Sequence, residues 1–199
     1  MGDPKKLKKK YSTPNHPWIR AVIEADKILK QEFGLVKKKE ILIASSFLRK
    51  YKRLAKALIA TKTAQALKEK EQILTKLKRL GILASDASLD QILTLETKDV
   101  LNRRLQSVVY RHGLARTMKQ ARQFVTHRHI RIGADEFTSP SYLVSLEEEQ
   151  HLKISEQSIL AKEDHPERVV VMKPKDDKKD KKDKGKDEVD VIIPEENVE

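Results

Sequence analysis

The sequence contains no cysteine. That absence removes disulfides, thiolate zinc sites and cysteine nucleophiles together. There is no apolar run near the length needed to span a bilayer, and the Lys-rich start is followed by no apolar segment of a signal peptide, so an intracellular chain with no membrane partner is expected. The six glycines are scattered, and no Walker-type loop, Gly-rich dinucleotide turn or Ser elbow occurs. The acids Asp26, Asp86, Asp90, Asp99, Asp135 and Glu136 are spread over helix faces and turns. Neither an enzyme nor a cofactor is expected, because nothing gathers a nucleophile, an acid–base pair or a metal into one cleft.

A more selective absence marks the centre of the chain. From Leu101 to Gly133 there is no Asp or Glu, while Arg103, Arg104, Arg111, Arg116, Lys119, Arg122, Arg128 and Arg131 crowd the same stretch with His112, His127 and His129. Acids are missing again between Glu40 and Glu69, where Arg49, Lys50, Lys52, Arg53 and Lys56 interleave with apolar residues. Unbalanced cations favour phosphate contact over internal pairing. The 199 residues carry a net charge of +12, which points to a polyanionic partner.

The central stretch is also patterned. Leu101, Leu105, Val108 and Val109 form the apolar stripe of a helix, with Arg103, Arg104, Ser107 and Arg111 pointing elsewhere. Gly113 supplies the left-handed residue that commonly ends a helix. Thr117 and Gln120 have the spacing of a capping box, so a second helix starts at Met118, with Met118, Ala121, Phe124 and Val125 inside and Lys119, Arg122 and Gln123 outside. The period then becomes alternating. His129, Arg131 and Gly133 face one way and Ile130 and Ile132 the other, a short half-buried strand. Ala134 to Glu136 read as a turn, and Pro140–Val144 and His151–Ile154 as strand-like pieces completing a small sheet. Glu147, Glu148 and Glu149 read as a turn that points to solvent or to a basic protein.

These blocks resemble a known family. Leu101 to Leu105, Gly113 to Arg116, Gln120 to Val125, His127 to Gly133 and Pro140 to Tyr142 are similar to the RNA-binding domain named after small-subunit ribosomal protein S-four. The first half agrees with the archaeal type at Gly34 to Glu40, Leu48 to Arg53, Leu80 to Leu83 and Leu89 to Leu93, and the start at Tyr11 to Pro14 and His16 to Trp18. Bacterial and organellar relatives sometimes carry zinc-binding Cys near the N-terminus, and here there is none.

The resulting fold class is α+β: a basic N-terminal arm over 1–17, expected to be disordered; a mainly helical domain over 18–100; an RNA-binding domain of two helices packed on a short β-sheet over 101–165; and a linker with a disordered Asp/Lys-rich tail over 166–199. In the helical part, Ile19 to Leu29 form a first helix ended by Gly34. Ile41, Leu42, Phe47, Leu48, Leu54, Leu58 and Ile59 line a second, and Ala66, Leu67, Ile73, Leu74, Leu77 and Leu80 a third, ended by Gly81. Thr97 caps the helix that reaches Leu101. Trp18, the sole tryptophan, could stack on a base, although a Trp opening a helix more often packs as an anchor.

What the resemblance implies is a structural constituent of the small ribosomal subunit, cytoplasmic, binding the 5′ domain of small-subunit ribosomal RNA early in assembly and lying near the messenger RNA entry side. Its expected partners are that RNA, neighbouring small-subunit proteins and messenger RNA at the entry side, with no homo-oligomer. The expected contacts are Arg103, Arg104, Arg111, Arg116, Lys119, Arg122, Gln123, His127, Arg128, His129 and Arg131, with further grip from Arg49, Lys50, Lys52, Arg53 and Lys56 and from Lys5, Lys6, Lys8, Lys9 and Lys10. A dication at His127, His129 and His112 would be repelled by Arg128 and Arg131, so no metal is expected. Two alternatives stand: a nonribosomal RNA-binding factor in ribosome rescue or RNA processing, and an architectural DNA-binding protein, against which the lack of a dimerisation element counts. Enzymes that modify uridine carry the same domain beside a larger catalytic one, for which no stretch is left.

Overall fold

A computed structural model describes Gly2, residues 9–161 and His165. The calls on Lys5, Lys6 and Lys8 and on the tail from residue 166 lie outside the described residues.

The helical half is built on one long element. Helix α2 (Lys38–Ala60) buries Ile41, Ala44, Leu48, Tyr51, Ala55 and Leu58, a spacing of three and four that makes one continuous stripe. Helices α1 (Arg20–Glu32), α3 (Ala64–Arg79), α4 (Leu89–Thr94) and α5 (Thr97–Asn102) pack against it. Thr63 starts α3 by accepting from the Ala66 amide at 3.2 Å. Ile59 and Leu67, expected inside, are instead exposed.

The second half begins in the expected order, two helices and then a strand. Helix α6 (Leu105–Arg111) and helix α7 (Met118–Thr126) lead into strand β1 (Ile130–Ile132), then β2 (Asp135–Glu136), helix α8 (Leu146–Gln150), strand β3 (Leu152–Ile154) and a 3-10 turn at Ile159–Ala161. The antiparallel sheet has the order β2-β1-β3, with Ile130 opposite Ile154 and Ile132 opposite Leu152. Leu105, Val108, Val109, Ala121, Phe124, Val125, Ile130, Ile132 and Val144 form its core. Each large apolar side chain among them contributes roughly 1.5–3 kcal/mol by leaving water.

The expected continuous helix around Leu101 is broken. Helix α5 ends at Asn102, with Arg103 as its C-cap, and Arg104 is extended (φ −72°, ψ 145°) before α6 begins. Tertiary backbone pairing causes the break: the Leu105 amide donates to the Tyr142 carbonyl at 2.7 Å and the Val144 amide to the Arg103 carbonyl at 3.0 Å. Leu101 consequently packs with Phe33, Leu35 and Ile41 of the helical half. The Pro140–Val144 segment makes only an isolated bridge, Leu143 to Arg104, and not a strand. At the start of α5 the cap is Glu96 rather than Thr97, its carboxylate and that of Asp99 forming a reciprocal capping box. The turn after β1 is confined to Gly133 and Ala134, since Asp135 and Glu136 already form β2.

Two glycines sit where the halves meet. Gly34 (φ +55°) and Gly81 (φ +65°) both end helices in the left-handed region. A Cβ on Gly34 would lie 3.0 Å from the Met118 Cβ, and one on Gly81 would lie 2.7 Å from Leu146 Cδ2. The Gln106 amide completes this junction, donating to the Phe33 carbonyl at 3.1 Å and the Met118 carbonyl at 2.8 Å.

Candidate nucleic-acid interface

The cations of the central stretch divide into two groups once folded. Arg103 and Arg104 do not point away from the apolar stripe, as their helical phase suggested; both are buried, because the chain bends at this position and turns them inward. Arg103 Nη1 donates to Glu149 Oε2 at 2.6 Å and Nη2 to the Val144 carbonyl at 3.0 Å. Arg104 Nη2 donates to Glu40 Oε2 at 2.5 Å, and Arg122, half-buried, donates to the same oxygen at 3.1 Å. Buried charges held by such partners are committed to the fold, since breaking a buried pair typically costs about 3–5 kcal/mol.

The acids that hold them were misread or overlooked in the sequence. Residues 147–149 lie in α8, not in a turn, and the helix is closed by a capping box between Ser145 and Glu148. Glu149 faces inward to Arg103, Arg111 and His112, and Glu148 accepts from the Tyr142 hydroxyl at 2.8 Å, so only Glu147 of the three is fully exposed. Glu40 was legible as the last acid before a long cationic run, yet its pairing depends on contacts 64 and 82 positions away. Burial by itself would raise the Glu40 carboxyl, but hydrogen bonds from Arg104 and Arg122 outweigh it and hold the group below the ordinary carboxylate range. Glu149 is held low in the same way, its burial outweighed by Arg103 and His112.

The second group stays on the surface. Thr117 caps α7, its hydroxyl accepting from the Gln120 backbone amide at 3.1 Å; the Gln120 side-chain Oε1 accepts from the Arg116 backbone amide at 2.7 Å, one residue before the Thr117 amide that a reciprocal capping box would use. From this helix and its last turn Arg116, Lys119, Gln123, His127 and Arg128 are exposed. Arg128 is left-handed (φ +62°), the residue that turns the chain from α7 into β1. His127 stacks on His129 with centroids 6.3 Å apart, and His129 Nδ1 meets the Ser158 hydroxyl at 2.7 Å. Among the described residues no group of three or more His, Asp or Glu is placed to hold a metal. Arg131 is half-buried and donates to the Ala134 carbonyl at 2.8 Å.

On α2, Arg49, Lys50, Arg53 and Lys56 are exposed and Lys52 is half-buried. Arg49 Nη1 donates to the Ser12 hydroxyl at 2.8 Å, and the Ser12 amide donates to the Ser46 hydroxyl at 3.1 Å, fastening the arm to this helix. Lys39 lies 5.7 Å from the centre of the Tyr11 ring. A recess of about 320 Å³ lies between the two halves, lined by Lys37, Lys39, Glu40 and Phe47 from one and Arg104, Arg122 and Pro140 from the other. Trp18 does not anchor α1: its ring is 87% exposed.

Two helices on a three-stranded antiparallel sheet, with one helix presenting cations, define an S4 domain, and the S4 domain family matches residues 103–149. The chain is 47% identical over 173 residues to small ribosomal subunit protein uS4 of Methanococcus maripaludis strain C5, a match spanning 86% of this chain and 97% of that one. It is 46% identical to the uS4 proteins of M. maripaludis strain C7 and of Methanococcus vannielii over the same shares. The chain belongs to the uS4 family of small ribosomal subunit proteins, which are structural rather than enzymatic.

Proposed function

We propose that this chain binds the 5′ domain of small-subunit ribosomal RNA, acts early in subunit assembly and lies near the messenger RNA entry side, in the cytoplasm among neighbouring small-subunit proteins. The observation that carries the reading is the division of the cations: Arg116, Lys119 and Arg128 stand exposed along α7 and its two ends, beside exposed Gln123 and His127 and backed by a packed core, while Arg103 and Arg104 are spent inside. Folded RNA presents phosphates at fixed positions in space more than readable grooves, so a rigid set of cations suits it. Arg49, Lys50, Arg53 and Lys56 extend the surface along α2, and Lys9 and Lys10 lie on the arm fastened beside Arg49. The helical domain over 18–100 and the RNA-binding domain over 101–165 then act together, because Glu40 and Gln106 bind one to the other.

Sedimentation of the tagged protein from extract at low and high salt, with sequencing of the RNA retained, tests this. Stoichiometric travel with small subunits and recovery of the 5′ domain is the expected result. Free or substoichiometric protein carrying other RNAs would instead make it a nonribosomal factor, and recovered DNA a DNA binder.

A further inference from the structure

The feature that the reading above does not absorb is the exposed tryptophan. Pro17 and Trp18 form a turn at the mouth of α1, and among the described residues nothing covers the indole. Trp18 is exposed together with Ile19 and Val22, and a contiguous apolar group of this kind, rather than a single exposed residue, is what marks a contact surface.

Its surroundings name the partner. The sequence has no Asp or Glu from Pro4 to Ile23, while Lys5, Lys6, Lys8, Lys9, Lys10 and Arg20 lie in that span. The arm leading to Trp18 is tied at Ser12 to Arg49 and Ser46 of α2, whose outer face is itself cationic. Six residues span at most about 20 Å, so the indole is held within that reach of the basic surface. A protein-docking helix would instead offer a broad apolar stripe. Ile19 and Val22, near Trp18 in the chain, are exposed too, but this short group does not continue along α1: the exposed Ile28 is about 120° round the helix from Val22, in a separate groove with Leu48 and Leu95. Along the chain the indole stands in a span that has cations and no acids, the composition with which proteins hold an unstacked base.

Resting on the ribosomal RNA reading, we infer that Trp18 is a stacking residue that takes an unpaired base of the bound RNA, the arm's fastening to Arg49 setting its direction. Trp18 is the sole tryptophan, so the intrinsic fluorescence of the full chain reports on this position alone.

The test titrates the full-length protein with a 5′-domain transcript and with an uninterrupted RNA duplex of equal length, reading fluorescence and filter retention in parallel. The transcript is expected to quench the emission strongly and the duplex to leave it nearly unchanged at equal occupancy. Trp18→Ala, whose fold is checked by circular dichroism, should weaken transcript binding about tenfold, and Trp18→Phe should restore most of it. Transcript retention without quenching, equal quenching by the duplex, or unchanged affinity in Trp18→Ala would overturn the stacking role and leave the ribosomal reading intact. Failure to retain the transcript at all would overturn both.

Discussion

Arg104 reaches back 64 residues to Glu40, its Nη2 donating to Oε2 at 2.5 Å, so a buried arginine of the S4 domain closes on the long helix of the other half. Glu40→Ala would leave Arg104 buried without its anion. We expect a loss of about 3–5 kcal/mol in urea unfolding, against about 1 kcal/mol or less for Lys56→Ala on the exposed face of the same helix. Equal losses would mean that the junction does not depend on this pair.

The two groups of cations should separate in solution. Arg104→Ala is expected to lower the unfolding midpoint, and Lys119→Ala to leave it within about 0.5 kcal/mol of the parent while weakening RNA binding and reducing the salt slope by about 1. The finding against this division would be an Arg104→Ala protein of full stability whose salt slope has dropped.

Stability should fall with acid in two stages. Burial, then the charges of His127 and His165, lower His129, so the unfolded chain takes up its proton first and stability starts to decline as pH drops below 6.5. Glu40 and Glu149 are lowered by their arginine partners, so their contribution is complete above 4.5 and disappears as pH falls through their folded values. Unfolding measured across a pH series should show His129→Gln removing the upper decline and Glu40→Gln flattening part of the lower one.

Gly34 and Gly133 both have positive φ but differ in surroundings: the first is crowded by Met118 and Lys119, and nothing lies within 4 Å of a Cβ on the second. Gly133→Ala should therefore cost only the backbone term of about 1 kcal/mol. Gly34→Ala should cost clearly more, because the junction must also move. Thermal unfolding of the two variants decides it, and equal shifts would show the junction to be yielding.

Arg128 keeps a left-handed backbone without being glycine. Arg128→Gly should raise stability by up to about 1 kcal/mol while weakening RNA binding severalfold. A stability gain with undiminished affinity would remove Arg128 from the interface.

Much of the architecture was readable locally. The start of α7 at Met118 follows from Thr117, and the alternation of Ile130 and Ile132 with Arg131 predicted β1, because caps and strand periods act over a few residues. The break between α5 and α6 was not readable, since the bonds that replace the helical ladder come from Tyr142 and Val144. The same distance hid the fate of the arginines. A guanidinium looks alike in sequence whether it meets a phosphate or a buried carboxylate.

The sequence by itself determined the partner class, a polyanion, and the order of elements that marks the family, for charge balance and short-range periodicity are properties of the chain as written. Only the tertiary structure decided which cations remain available. Glu40 and Glu149 lie far along the chain from the arginines they hold, and folding alone brings them together, taking Arg103 and Arg104 into the frame and leaving Lys119 and Arg128 on the surface.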